Sequence, residues 1–111
     1  FNISKSAANS ATAVFKVARD HGAHAGLAIV TKSNSGDSAA KVFAWSACYN
    51  GTPDIQSLSS NIGGYTDFTA SGTVSNDEFT FKLTNGDSNS RSFRVTVIYG
   101  GAATLGTPTL Y

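Results

Sequence analysis

Phe79-Thr80-Phe81-Lys82-Leu83 and Ser92-Phe93-Arg94-Val95-Thr96-Val97-Ile98-Tyr99, joined through Asn85-Gly86-Asp87-Ser88-Asn89-Ser90, are the stretch whose reading decides the fold. In the first run Phe79, Phe81 and Leu83 alternate with Thr80 and Lys82. In the second Phe93, Val95, Val97 and Tyr99 alternate with polar Arg94 and Thr96. Period-two alternation places large apolar side chains on one face of an extended strand and polar ones on the other. A slip of one residue would push three large side chains into water. The connector consists almost wholly of turn formers, so the two strands are expected to pair as an antiparallel hairpin.

The same pattern runs outward from this stretch. Ala13, Phe15 and Val17 are expected on one face of a strand over 13–17. Gly26 to Lys32 is a β-branched run ending in the turn-rich Ser33-Asn34-Ser35-Gly36-Asp37-Ser38. Lys41 to Tyr49 reads as the longest strand, with aromatic Phe43, Trp45 and Tyr49 at odd positions and small Val42, Ala44, Ser46 and Cys48 at even ones. That division predicts a buried Trp45 and a strand covered on both faces. Short strands are expected at 65–68 and 72–74, and Ile55 to Leu58 reads as a helical turn. Seven or eight short strands with turns every 8 to 12 residues predict an all-β, antiparallel two-sheet sandwich of the jelly-roll or immunoglobulin-like kind. The jelly roll is preferred, because Cys48 is alone and so cannot form the disulfide that joins the sheets in an antibody domain.

At 111 residues the chain has room for one domain. The ends differ from the body, and extended arms are expected at 1–10 and 102–111. Only 14% of residues are charged, so the polar surface must come from 15 Ser, 12 Thr, 8 Asn and 11 Gly. A hydroxyl-rich surface of this kind suits an extracellular or virion-exposed β protein. Eight basic residues are spread singly at a net charge of +1, which gives no stripe to track a phosphate backbone and argues against nucleic acid. The apolar run Leu27–Val30 is a strand's length, far short of the roughly 20 residues a membrane-spanning helix needs. The start at Phe1 reads as a processed product or an excised piece of something longer. Asn2-Ile3-Ser4 and Asn50-Gly51-Thr52 are glycosylation sequons of the sort that arise by chance in so polar a chain.

Chemistry-bearing clusters are few. His21 and His24, in Asp20-His21-Gly22-Ala23-His24, are read as solvated loop histidines, with metal ligation or a pH-dependent contact between copies as the sharper alternative. No Ser occupies a Gly-x-Ser-x-Gly elbow, and the seven acids all fall in turns or at strand ends. Asp77 and Glu78 are adjacent, so as strand residues they would point to opposite faces and could not share a proton. No enzymatic role and no cofactor are expected. Sugar binding commonly uses an aromatic ring beside amide or carboxylate acceptors, and Tyr49 with Asn50 and Tyr65 with Asp67 are the pairs nearest strand ends.

From Phe79 to Ala103, the succession of polar strand, Asn/Gly/Ser turn and final strand running into Gly100-Gly101-Ala102-Ala103 resembles small β-domains of bacteriophage virions. Tail-fibre tips and capsid-decorating proteins are the kinds in question. The resemblance implies a homo-oligomer, commonly a trimer, located in the virion or outside the cell, whose subunits bury apolar and Ser/Thr-rich surfaces together. It implies a part in stabilising a shell with other virion proteins or in touching a cell-surface glycan. The chain lacks a long fibrous repeat, which favours a shell-bound or excised domain. A carbohydrate- or receptor-binding module and an adhesion-type sandwich within a larger protein are the other readings.

Overall fold

The computed structural model describes residues 2–7, 10–18, 23–33, 39–59, 67–75, 77–86, 90–101 and 109–110. Among them the regular structure is all strand: β1 (Asn2–Ala7), β2 (Thr12–Ala18), β3 (Ala23–Ser33), β4 (Ala39–Cys48), β5 (Asp54–Ser57), β6 (Phe68–Ser75), β7 (Glu78–Asn85), β8 (Arg91–Gly101) and β9 (Thr109–Leu110). They form two open antiparallel sheets. One has five strands in the order β1-β8-β3-β4-β5; the other has the order β6-β7-β2-β9, its last member two residues long. The sequence β8-β3-β4-β5 is a Greek-key order, three consecutive strands with a later one returning beside the first.

Phe79, Phe81 and Leu83 are fully buried, as alternation requires, and so are Phe93, Val95 and Val97. The hairpin expected between their strands does not form. Strand β7 pairs with β6 and β2, whereas β8 pairs with β1 and β3 in the other sheet. The strands on either side of the connector lie in different sheets, and their two apolar faces meet across the core instead of lying side by side. Alternation is the same in either arrangement, and the five-residue polar connector 86–90 is long enough for both the ~5 Å between neighbouring strands and the ~10 Å between packed sheets.

The start of the chain is paired in the sheet. Residues 2–7 pair along their length with β8, from Asn2 opposite Thr96 to Ala7 opposite Arg91, and bury Ile3 and Ala7. Residues 2–7, within the segment expected as an arm, thus supply a sheet strand. At the other end Leu110 and Thr109 pair with Phe15 and Lys16, while 102–108 and Tyr111 lie outside the described residues. Strand β2 contains a bulge between Ala13 and Phe15, which buries Val14 beside Phe15 and leaves Ala13 half-exposed. The segment expected as a helical turn is strand β5. Ile55 lies opposite Trp45, and the Leu58 amide donates to the Val42 carbonyl at 2.7 Å. The two short strands expected at 65–68 and 72–74 are replaced by one strand, Phe68–Ser75, with Tyr65 and Thr66 outside the described residues.

Rows of side chains across the inner face of the five-stranded sheet show how the core is filled. Strand β3 contributes small residues where its neighbours are large, giving the rows Phe43-Ala28-Val97 and Trp45-Gly26-Tyr99. The Trp45 and Tyr99 rings approach over Gly26 to 6.1 Å, nearly parallel. A Cβ on Gly26 would overlap the Ile98 carbonyl oxygen and touch the indole at 3.0 Å. From the opposite sheet Phe79 stacks on Trp45 at 5.7 Å, and Phe15 meets the indole edge-on at 5.3 Å. Trp45 is buried, as expected from its place in the strand.

Edges are protected by composition. Strand β1 carries Asn2, Ser4, Lys5 and Ser6, β5 is four residues long and preceded by Pro53, and β6 is Ser/Thr-rich with Gly72. Short polar edges discourage pairing with other chains through the backbone, which leaves the sheet faces as the surfaces available for contacts.

Candidate functional site

Of the residues singled out in the sequence, Tyr49 with Asn50 and Asp67 fall at opposite ends of strand β4. Strand β4 ends at Cys48, and the chain turns through Tyr49 and Asn50, closed by the Gly51 amide donating to the Cys48 carbonyl at 3.1 Å. Asn50 adopts a left-handed φ of 56°, a conformation Asn tolerates. Tyr49 is 43% exposed, so this pair is a surface feature. Asp67 lies beside Lys41, eight residues back along the same extended strand from Tyr49, or about 26 Å. Its Oδ1 sits 2.6 Å from Lys41 Nζ and also accepts the Phe68 amide at 2.7 Å. The Lys41 ammonium is nearly buried, donates to the Phe68 carbonyl at 2.9 Å and stands 5.4 Å over the Phe68 ring. Asp67 therefore serves as the counter-ion of a core-facing lysine. Tyr65 lies outside the described residues, so no pairing of it with Asp67 is on view.

Lys32 is the second inward-facing lysine, 1% exposed, with its Nζ 3.4 Å from the buried Asn85 Oδ1. Both lysines enter the core at the same end, where β3 finishes and β4 begins. Alternation alone would have assigned these positions to apolar residues, and their polar partners come from β6, β7 and the segment leading into β6.

His24 is not a solvated loop residue. It lies in β3, 2% exposed, with Nδ1 2.7 Å from the Tyr99 hydroxyl and its ring stacked on the Tyr99 ring at 5.5 Å. Burial lowers its pKa below 6.5, partly offset by the Ala18 carbonyl, and burial raises that of the Tyr99 hydroxyl. A neutral imidazole beside a protonated phenol satisfies one ring nitrogen. The Nε2 atom and the Trp45 indole nitrogen are buried without a hydrogen-bond partner of ordinary geometry. His21 lies outside the described residues, and among the described residues no three metal-ligating side chains gather. No described helix is long and apolar enough to cross a membrane.

The outer face of the five-stranded sheet was not singled out by sequence reasoning. Its middle is apolar: Leu27 lies between Ala44 and Ile98, and Ile29 lies between Val42 and Thr96. Ile98 is 55% exposed and Ile29 37%. Toward the end where β3 finishes, the same face becomes hydroxyl-rich. There a groove of about 380 Å³ is lined by Ser4, Lys5, Ser6, Thr31, Ser92, Phe93 and Arg94. The available sequence signal was the outward half of each alternating strand, Leu27 and Ile29 in β3 and Ile98 in β8, where water-facing positions are apolar.

No protein-family model matches the chain, and no curated protein or solved structure matches it.

Proposed function

We propose that the chain is a non-enzymatic structural module that acts by assembling with copies of itself through the outer face of its five-stranded sheet, in the manner of a capsid-decoration or fibre domain of a virion. The observation that carries this reading is the uncharged apolar middle of that face, where Leu27, Ile29, Val42, Ala44 and Ile98 adjoin with Ile29 and Ile98 open to solvent. Scattered exposed apolar residues are ordinary, but a contiguous group marks a contact surface. An uncharged apolar face can meet its own copy without like-charge repulsion, which suits a closed homo-oligomer. The phage-like texture of 79–103 supports a trimer and a virion or extracellular setting. The nested pairing of β1 with β8 and β2 with β7 is compatible with jelly-roll winding, although the β3-β4-β5 meander follows immunoglobulin-like connectivity more closely.

Light scattering on the purified chain tests the assembly. The expected result is a concentration-dependent trimer that becomes monomeric in Ile98→Lys and Ile29→Lys. A monomer at every concentration, or an oligomer that both variants leave intact, would overturn it.

A further inference from the structure

The hydroxyl-rich end of the outer face carries a feature that self-assembly does not require. Strand β8 is interior to the sheet, and Arg94 on it lies opposite Ser4 of β1 on one side and Thr31 of β3 on the other. The rows before and after are Ser6-Ser92-Ser33 and Asn2-Thr96-Ile29. Arg94 thus has four serines and threonines around it, Ser4, Ser6, Ser92 and Thr31, with Thr96, Asn2 and Ile29 in the next row. A carboxylate opposite a cation across the strand gap is a stabilising cross-strand pair. Here every neighbour in the field is uncharged, and Arg94 makes no ion pair with a described residue. It is also exposed, and it lines the 380 Å³ groove together with Ser4, Ser6, Thr31 and Ser92.

The geometry points to a binding site for an acidic saccharide, with the ligand's sulfate or carboxylate on the Arg94 guanidinium and its hydroxyls on the surrounding serines and threonines. The guanidinium presents paired N–H donors in a plane, which fit two oxygens of one anionic group. Each Ser or Thr hydroxyl both donates and accepts, as a sugar hydroxyl does, so a field of them suits a polyhydroxylated ligand without demanding charge. Three strands span about 10 Å and three alternate positions about 14 Å, the footprint of one or two sugar rings. The groove volume falls within the range of small-molecule sites and is larger than a bare oxyanion needs. The groove's two cations, Arg94 and Lys5, do not make a phosphate-backbone track, which takes several in line. The groove residues differ from those of the apolar middle, and Ile29 is the position where the two regions of the face adjoin.

Titration calorimetry of the full chain with a sulfated heparin disaccharide, sialyllactose, lactose and sodium sulfate tests the assignment. The expected result is binding of one or both acidic saccharides, with lactose and free sulfate at least tenfold weaker. Arg94→Gln should lose at least tenfold toward the acidic saccharide and Thr31→Val a smaller factor, both with unchanged melting temperature. Ile98→Lys, which addresses assembly, should leave saccharide affinity intact. Absence of binding, equal binding of lactose, affinity unchanged in Arg94→Gln, or free sulfate as tight as the disaccharide would each overturn the saccharide site. Equal binding of a tetra-aspartate peptide would overturn it in favour of an acidic peptide surface.

Discussion

The two faces of the five-stranded sheet share one backbone and one register, yet they are filled on opposite rules. On the inner face each row is a fitted set in which a small residue of β3 admits large ones beside it, as in Trp45-Gly26-Tyr99. On the outer face the rows follow no such size complementarity. They change along the strands from the hydroxyl field around Arg94 to the apolar group around Ile29 and Ile98. The inner face answers to close packing, in which a methylene more or less is felt. The outer face is open to solvent at Ile98 and Ile29. Substitution of neighbouring residues in one strand should then produce effects of different kinds.

The strongest test of that contrast is Trp45→Ala. The indole contacts Phe15, Phe79 and Tyr99, and truncating a buried aromatic of this size costs about 3–5 kcal/mol. Urea unfolding should show a large drop in midpoint, and a loss near zero would refute the packed inner face. Gly26→Ala comes next. The added methyl would overlap the Ile98 carbonyl and press on the indole, so either β8 or Trp45 must move, at about 1–3 kcal/mol. A neutral or stabilising result would mean that the Trp45-Tyr99 approach over Gly26 is not as close as described.

A gentler perturbation is acid. The folded state holds His24 neutral because burial lowers its pKa below 6.5, whereas the unfolded chain protonates it at the ordinary value. The unfolded state therefore binds the extra proton, and stability present above about pH 6.5 declines as pH falls through that value toward the folded pKa. The urea midpoint should fall between pH 7 and pH 5, with a shallower fall in His24→Phe, which keeps a ring against Tyr99. Equal slopes in the two proteins would show that His24 titrates freely in the fold. The smallest effect belongs to the outer face. Ile98→Thr and Arg94→Gln, one β8 position from buried Val97 and Val95 respectively, should each change monomer stability by no more than about 0.5 kcal/mol. A loss of 2 kcal/mol from either would show that the outer face is part of the packed structure.

Much of the inner face was legible in the sequence. Phe79, Phe81, Leu83, Phe93, Val95, Val97, Phe43 and Trp45 could be assigned inward because alternation is a local consequence of strand geometry. The polar exceptions were not legible. Lys41 and Lys32 sit at inward positions whose partners, Asp67 and Asn85, lie 26 and 53 residues away. His24 looked like part of a Gly-flanked loop, and only its pairing between Ala47 and Gly101 places it in the sheet. The hydroxyl field was hidden for the same reason. Ser4, Thr31 and Arg94 are unremarkable singly and become neighbours only through the β1-β8-β3 register.

The sequence by itself determined that the chain is built of antiparallel strands in two sheets and which side of most strands faces the core, because side-chain direction in a strand depends only on the parity of position. It did not determine which strands are neighbours. The turn-rich segment after Asn85 can close a hairpin or cross between sheets, and the six residues at the start can trail or pair. Tertiary structure decided both: the apolar rows of β7 and β8 meet across the core from separate sheets, and β1 pairs along the edge of β8. Pairing between distant segments is a competition among all available edges and faces, and no local pattern encodes its outcome.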